Sequence, residues 1–157
     1  MAGRETDSAN VRFPPPLVYA GFLLVGLVLD RAFGLYAAIP VTVRWGLGGV
    51  AVFAGLSLVG AALVRFRKAG NKPEPWQPDT TLVGGGIYRF TRNPMYLGMA
   101  IGTFGIAIMA DSMGALLTLP LSLLAIRTQV IAREEAYLAA RFGKPYREYC
   151  RHVRRWI

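Results

Sequence analysis

The feature that most constrains this chain is a run of twenty residues, 45–64, in which Ser57 carries the only polar side chain. A helix rises about 1.5 Å per residue, so a run of this length crosses the roughly 30 Å hydrocarbon core of a bilayer. Three shorter apolar stretches accompany it, at 17–29, 95–110 and 114–126. Each of these spans a bilayer only if uncharged flanks or further helical turns extend it.

The composition agrees with a membrane protein. Hydrophobic residues make up 54% of the chain, charged residues 17%, and the mean hydropathy is +0.37, whereas soluble domains carry roughly 25% charged residues. We therefore predict an all-α integral membrane fold, organised as a single domain over residues 1–157. We expect about four transmembrane helices, at about 14–39, 45–66, 94–110 and 114–142. The third and fourth form a tight hairpin, because only three residues join their apolar runs.

The basic residues predict an orientation. The net charge of +9 favours nucleic-acid binding on a soluble protein, but beside long apolar runs it indicates the cytoplasmic side of a membrane. Lys and Arg are frequent before the first helix, between the second and third, and after the fourth, and scarce or absent in the other two connections. This alternation predicts a multi-pass protein of the cytoplasmic membrane with both termini in the cytoplasm, and no nucleic-acid partner.

Several local patterns carry packing expectations. The spacing of Gly98 and Gly102 favours close approach of a neighbouring helix, and Pro120 is expected to bend the fourth helix. Asp30 and Arg31 are expected to form an interfacial ion pair. Cys150 and His152 are the only cysteine and histidine, so a disulfide scaffold and a histidine-based zinc site are not expected, and we predict no metal site.

Polar residues concentrate in two regions, the connection 65–93 and the tail 127–157. A connection of this length is usually functional or disordered, and its aromatic residues favour an ordered loop. The tail predicts a cytoplasmic helix containing Glu134 and Glu135, followed by a short basic helix. Carboxylates where a helix leaves the bilayer are costly unless paired or functional. They either bind a ligand or form a solvated face, with Glu135 near Arg127 or Arg133.

Two ordered motifs resemble a known family. Residues 81–98 read TLVGGGIYRFTRNPMYLG, and residues 134–156 read EEAYLAARFGKPYREYCRHVRRW. In this order, with a helical hairpin between them, they resemble the isoprenylcysteine carboxyl methyltransferase and phospholipid N-methyltransferase superfamily of small membrane enzymes. The resemblance covers roughly residues 62–155. It implies an S-adenosylmethionine-dependent methyltransferase whose cofactor binds at the cytoplasmic surface, on the loop, the start of the hairpin and the C-terminal helix.

The resemblance also implies a set of cofactor-binding residues. They are Gly70, Thr80, Thr81, Leu82, Val83, Tyr88, Arg92, Asn93, Pro94, Met95, Tyr96, Glu134 and Glu135. Within this set, Glu134 corresponds to the family's cofactor-binding glutamate, and a fork-shaped guanidinium such as that of Arg92 suits the cofactor carboxylate. Catalytic residues are not identified, but Arg92, Asn93 and Tyr96 are candidates for positioning the reactants.

Two departures from the family pattern bear on the substrate. Asn93 replaces a histidine, so this position cannot carry a proton as an imidazolium. Val130 stands where prenylcysteine methyltransferases have an acceptor-binding arginine, which weakens the case for a prenylcysteine carboxylate. The predicted acceptor is therefore a lipid-soluble or membrane-delivered small molecule: a lipid amine, a thiol, or a prenylcysteine or isoprenoid carboxylate.

Two other functions remain open from the sequence. Membrane sterol reductases share a related architecture and a similar C-terminal motif but use NADPH. A non-enzymatic membrane protein that retained the scaffold is the second alternative. Binding of NADPH, or of no nucleotide-like cofactor at all, distinguishes these from a methyltransferase.

Overall fold

A computed structural model of the chain describes residues 13–71 and 80–157. Helices and turns account for the regular structure in these ranges, and no strand occurs there, so the all-α prediction is confirmed. The six α-helices are α1 (Pro15–Phe33), α2 (Val41–Lys68), α3 (Pro94–Met109), α4 (Met113–Ala125), α5 (Ala132–Phe142) and α6 (Lys144–His152). Arg4, Arg12 and Lys72, which entered the charge count above, lie outside the described residues.

The first two helices differ from the expected bounds for a local reason. α1 ends at Phe33 rather than near residue 39, because Gly34 adopts a left-handed conformation (φ +64°) that stops the helix. Its N–H donates to the Asp30 carbonyl oxygen, which closes the last turn. Pro40 immediately precedes Val41, so α2 begins four residues before the expected 45. The connection between these helices is therefore irregular rather than helical.

Three helical segments are long and apolar enough to cross a membrane: Pro15–Phe33, Val41–Lys68 and Met113–Phe142. The last comprises α4, a π-helical segment at Ile126–Ile131 and α5. At 16 residues, α3 is about 24 Å long and falls short of a full bilayer core. Large apolar side chains on the outer faces of the long segments, including Leu24, Phe53 and Leu117, are exposed as lipid-facing residues are. The chain is an integral membrane protein.

Glycines set the contact between α2 and α3. A methyl group added at Gly55 would lie 2.5 Å from the Gly98 carbonyl oxygen and the Gly102 nitrogen, and one at Gly105 would lie 2.7 Å from the Gly48 carbonyl oxygen. Such approaches leave no room for a side chain. The close packing on α3 uses Gly98 and Gly105, seven residues apart, whereas a methyl group at Gly102 would meet no atom within 4 Å. The α3–α4 hairpin completes the bundle by packing against α1.

Polar groups fasten the end of the bundle formed by residues 34–40 and the hairpin turn 110–112, here called the far end. The Asp30 carboxylate accepts hydrogen bonds from the Ser112 hydroxyl and, at 2.7 Å, from the Gly114 N–H. It thereby caps α4. The expected ion pair of Asp30 with Arg31 is wrong for the described residues, because both carboxylate oxygens of Asp30 bind the neighbouring helix.

The fourth helix continues through Pro120, and its departure from α-helical geometry comes six residues later. In the π-helical segment Ile126–Ile131, the side chains of Ile126, Val130 and Ile131 are fully buried. π-helical turns within α-helices are frequent at functional sites. This one lies directly before the helix that carries the two glutamates.

Candidate functional site

The site end of the bundle lies opposite the far end, where the start of α3 meets the chain after α6. The Arg92 N–H donates to the Arg154 carbonyl oxygen at 3.0 Å. The Thr91 hydroxyl and the Asn93 amide both donate to the Arg155 carbonyl oxygen, at 3.1 and 3.0 Å. These bonds fix residues 91–93 against the C-terminal tail. They also show that the Asn93 side-chain amide donates to the backbone.

Glu135 lies between two arginines that are distant from it in sequence. The Arg155 guanidinium binds it through two parallel hydrogen bonds, of 2.9 Å to Oε1 and 2.7 Å to Oε2. The Arg92 guanidinium approaches Oε1 at 3.2 Å. The hydrogen bond to Glu135 raises the pKa of Arg155. Glu135 thus joins α5, the start of α3 and the tail into one charged cluster, in which one carboxylate faces two cations.

Glu134 points toward a different neighbour. Its Oε1 accepts a hydrogen bond of 2.5 Å from the Tyr96 hydroxyl, and the Tyr96 carbonyl oxygen accepts one of 3.0 Å from the buried Tyr19 hydroxyl on α1. Adjacent residues on a helix project about 100° apart. The two glutamates therefore have separate surroundings: Glu135 in the arginine cluster, and Glu134 beside the first turn of α3.

Arg92 has a donor that its neighbours leave unused. Its Nη1 contacts the Glu135 carboxylate and donates to the Cys150 sulfur at 2.8 Å. Its Nε is buried and has no hydrogen-bond partner among the described residues. A buried N–H without a hydrogen-bond partner costs free energy. One explanation is that an oxygen atom of a bound ligand accepts this hydrogen bond.

Asn71 organises the loop that follows α2. It is 4% exposed, and its Oδ1 accepts hydrogen bonds from the Thr80 N–H (2.9 Å), the Thr80 hydroxyl (2.8 Å) and the Thr81 N–H (3.1 Å). Its Nδ2 donates to the Thr81 carbonyl oxygen at 2.7 Å. Gly70, with φ +81°, makes the turn that precedes it. The Asn71 side chain therefore joins Thr80 and Thr81, and the Thr80 hydroxyl in turn donates to the Gly70 carbonyl oxygen at 3.3 Å.

An apolar cluster lies between this loop and α3. Val83 and Tyr88 pack around the fully buried Ala62, with Met95 against them, and the rings of Phe66 and Tyr88 stack at 6.4 Å. The Tyr149 hydroxyl of α6 donates to the Tyr88 carbonyl oxygen at 2.7 Å. Burial raises the pKa of Tyr149 to about 12.

Comparison with known proteins identifies the family of this chain. A sequence model described as phospholipid methyltransferase matches residues 43–145, more than half of the chain. The chain belongs to the phospholipid methyltransferase family. The match begins in α2 and ends at the start of α6, so it contains the loop, the hairpin and both glutamates. The expected resemblance to membrane methyltransferases is confirmed.

Two proteins of other organisms are similar in sequence to this member of the phospholipid methyltransferase family. A protein-S-isoprenylcysteine O-methyltransferase of Schizosaccharomyces pombe is 36% identical over 75 residues, which are 48% of this chain and 32% of that protein. The chain thus matches about a third of that relative's length. An uncharacterised protein of Haemophilus influenzae is 36% identical over 63 residues, 40% of this chain and 100% of that protein. No solved structure matches the family member significantly.

The structure assembles most of the predicted cofactor residues of this family member into three adjoining groups. They are Gly70, Thr80 and Thr81 around Asn71; Val83, Tyr88 and Met95 in the apolar cluster; and Arg92, Asn93, Tyr96, Glu134 and Glu135 in hydrogen bonds and ion pairs. Pro94 is fully buried in the first turn of α3, and Leu82 is half-buried beside Val83. Met95 and Tyr96 connect the second and third groups.

Sequence reasoning missed Asn71, Arg155 and Cys150 as members of the site. Arg155 is one of several arginines in the tail, and its spacing does not distinguish it from the others. The one available signal was Asn71 itself: an amide directly after a helix-ending glycine and before a Pro-rich stretch is well suited to bind loop backbone.

Proposed function

We propose that this protein transfers a methyl group from S-adenosylmethionine to a lipophilic or membrane-delivered small acceptor. Membership of a membrane methyltransferase family supports the reaction class. The observation that carries the cofactor assignment is the separation of the two glutamates. Glu135 is held by two arginines, whereas Glu134 lies at the first turn of α3, beside Tyr96.

The residues present suit the chemical groups of S-adenosylmethionine. Glu134 suits the cofactor's ammonium or ribose hydroxyls, because a carboxylate accepts strong hydrogen bonds from both. The buried, unpartnered Nε of Arg92 suits the cofactor carboxylate. The apolar cluster of Val83, Tyr88 and Met95 offers a surface for the adenine ring.

Each residue then has a defined task. The cofactor, when bound, supplies an electrophilic methyl group on a sulfonium. Glu135 keeps the Arg92 guanidinium in one orientation through its ion pair. The Tyr96 hydroxyl holds the Glu134 carboxylate, and the fully buried Pro94 excludes water at the base of α3. Positioning and exclusion of water are the main contributions that a protein can make to such a transfer.

The acceptor approaches from the bilayer, because the site adjoins helices whose outer faces are apolar. Val130, at the position where prenylcysteine enzymes have an arginine, is 1% exposed and packs in the core with Tyr19 and Ile131. Among the described residues, this position therefore presents an apolar side chain, rather than a guanidinium, to a carboxylate. This supports a lipid amine or a thiol over a prenylcysteine as the acceptor.

Calorimetry in nanodiscs tests the cofactor. We expect saturable binding of S-adenosylmethionine or its demethylated product, S-adenosylhomocysteine. The exposed Arg147→Gln change on α6 serves as a matched control and should bind like the parent. NADPH binding without a response to either sulfur compound would instead establish the reductase alternative. Labelled S-adenosylmethionine, followed by mass spectrometry of lipid and thiol extracts, identifies the acceptor class.

A further inference from the structure

A cavity of about 930 Å³ lies at the far end of the bundle. Its wall is formed by α1, the α1–α2 connection, the start of α2 and the hairpin turn, and includes Leu24, Leu27, Val28, Arg31 and Arg44. Tyr96 and Ala110 are fourteen residues apart in sequence, so this cavity lies about 21 Å along the hairpin from the methyl-transfer site. It is therefore separate from the proposed methyl-transfer site.

The polar lining of the cavity consists of two carboxylates that bind neighbouring chain segments and two arginines with N–H donors that the described residues leave unused. The Asp30 carboxylate accepts from Ser112 and Gly114. The Asp111 carboxylate accepts from the Ile39 N–H at 2.9 Å and faces Arg44 at 3.7 Å. Both carboxylates are thus committed to neighbouring chain segments.

Unlike the two carboxylates, Arg31 and Arg44 keep N–H donors that bind no neighbouring segment of the described chain. Arg44 donates through Nε and Nη2 to the Met109 carbonyl oxygen, which leaves Nη1 with its ion pair to Asp111 and a further N–H. Arg31 is exposed and has no ion pair or hydrogen bond to any residue in the described ranges. A guanidinium carries five N–H donors and matches the geometry of a phosphate. The remaining capacity of the polar lining is therefore for an anionic oxygen ligand.

The other wall of the cavity is apolar and faces the bilayer. Leu24, Leu27 and Val28 lie one to two turns before Arg31 on α1, a helix long and apolar enough to span the membrane. Leu24 and Val28 are 60% and 65% exposed. From Leu24 to Arg31 the helix rises about 10 Å. A ligand with an anionic head at Arg31 would therefore lay a hydrocarbon chain along these side chains.

We propose that this cavity binds a phospholipid, with its phosphate against Arg31 and Arg44 and one acyl chain along Leu24, Leu27 and Val28. The lipid sits apart from the methyl acceptor, because the cavity and the methyl-transfer site occupy opposite ends of the bundle. This inference is independent of the proposed cofactor. It assigns the unpartnered Arg31 guanidinium to a lipid phosphate at membrane depth.

The test is a titration followed by native mass spectrometry of the full chain in a non-ionic detergent. The probe is dioctanoyl-phosphatidylglycerol. We expect a saturable one-to-one adduct with the parent, and an apparent Kd raised about tenfold or more in Arg31→Gln, since a charge-assisted contact is lost. Arg31→Lys keeps the charge and should recover part of the affinity. Arg147→Gln, an equally exposed arginine at the site end, should bind like the parent.

Two further probes separate the possible sources of binding. Dioctanoylglycerol has the acyl chains without the phosphate, and inorganic phosphate has the anion without the chains; both should bind at least about tenfold more weakly than the phospholipid. Equal binding of dioctanoylglycerol would overturn the role of Arg31. Equal competition by inorganic phosphate would overturn the lipid assignment, and so would an Arg31→Gln variant that binds the phospholipid as tightly as the parent.

Discussion

Because Glu134 and Glu135 have different partners, the same Glu→Gln substitution should affect stability at Glu135 and cofactor binding at Glu134. Glu135→Gln removes the carboxylate that lies between the guanidiniums of Arg92 and Arg155. Removing one partner of a buried ion pair costs about 3–5 kcal/mol, whereas exposed pairs contribute about 0–1 kcal/mol. The side chains of Arg92, Glu135 and Arg155 are 15%, 20% and 34% exposed. An intermediate cost of about 2–3 kcal/mol is therefore expected.

That cost converts into a measurable shift. For a chain of this length, 1 kcal/mol corresponds to about 2–4 °C in Tm, so Glu135→Gln should unfold about 4–12 °C below the parent. Glu134→Gln should unfold near the parent temperature, because the Gln carbonyl oxygen still accepts the hydrogen bond from Tyr96. The same variant should bind S-adenosylmethionine roughly 10- to 150-fold more weakly, since a charge-assisted hydrogen bond is lost. Glu135→Gln should retain measurable binding.

Tryptophan fluorescence during thermal unfolding in detergent suits the first measurement. Trp156 follows Arg155 and packs against the core cluster of Ile126 and Ile131, so it reports on the tail directly. Calorimetry with S-adenosylmethionine supplies the second measurement. The reasoning fails if Glu135→Gln unfolds at the parent temperature. It also fails if Glu134→Gln binds the cofactor as tightly as the parent while Glu135→Gln does not.

Three further predictions concern the loop, the helix contact and pH. Asn71→Ala should lower the free energy of unfolding by about 1–3 kcal/mol in denaturant titration, because its hydrogen bonds to Thr80 and Thr81 are lost. Asn71→Asp keeps the Oδ1 acceptor but places an oxygen instead of the Nδ2 donor against the Thr81 carbonyl oxygen, so it should be destabilised as well. Gly55→Val should destabilise by about 1–3 kcal/mol or more through overpacking against α3, whereas Gly60→Val, which meets no atom within 4 Å, should be nearly neutral in the same assay. The raised pKa of Tyr149, about 12, leaves stability unaffected by this group below about pH 10 and removes stability as pH rises toward 12, because the unfolded tyrosine ionises first. Thermal unfolding of Tyr149→Phe should show a smaller loss over that interval, and an unchanged loss would contradict the assignment.

The bilayer explains why much of the fold could be predicted from sequence. Long apolar runs must become helices when no water is present to bind the backbone, and a three-residue connection forces the α3–α4 hairpin. Gly34 and Pro40 moved the ends of α1 and α2, which shows that local backbone chemistry overrides a hydropathy boundary. Pairings across the bundle carry no local signal. The spacing along α5 does not predict that Glu135 binds Arg92 and Arg155. The sequence around Asp30 likewise does not predict that it binds Ser112 and Gly114.

The family resemblance supplied what spacing did not. It grouped Thr80, Tyr88, Tyr96 and Glu134 before any contact was known, and the described residues place these side chains at one end of the bundle. The resemblance does not include Asn71 among the site residues. The side chain of Asn71 acts by binding loop backbone, and a sequence motif does not show such a contact.

The π-helical segment Ile126–Ile131 determines how α5, which carries the acidic pair, is rotated about the helix axis relative to α4. A π-turn accommodates one residue more than the α-turn it replaces, and each residue of an α-helix turns the chain by about 100°. Deleting a single residue within this segment would let α4 and α5 run as one regular α-helix and would leave the direction of the α5 side chains nearly unchanged. If the same residues formed a regular α-helix instead, everything beyond would be turned by about that angle relative to α3, and Glu134 would face away from Tyr96. The direction of the acidic pair is thus fixed by the match between chain length and helix type at this one point, and a relative with one residue fewer there would present the same side chains to the site through a regular helix.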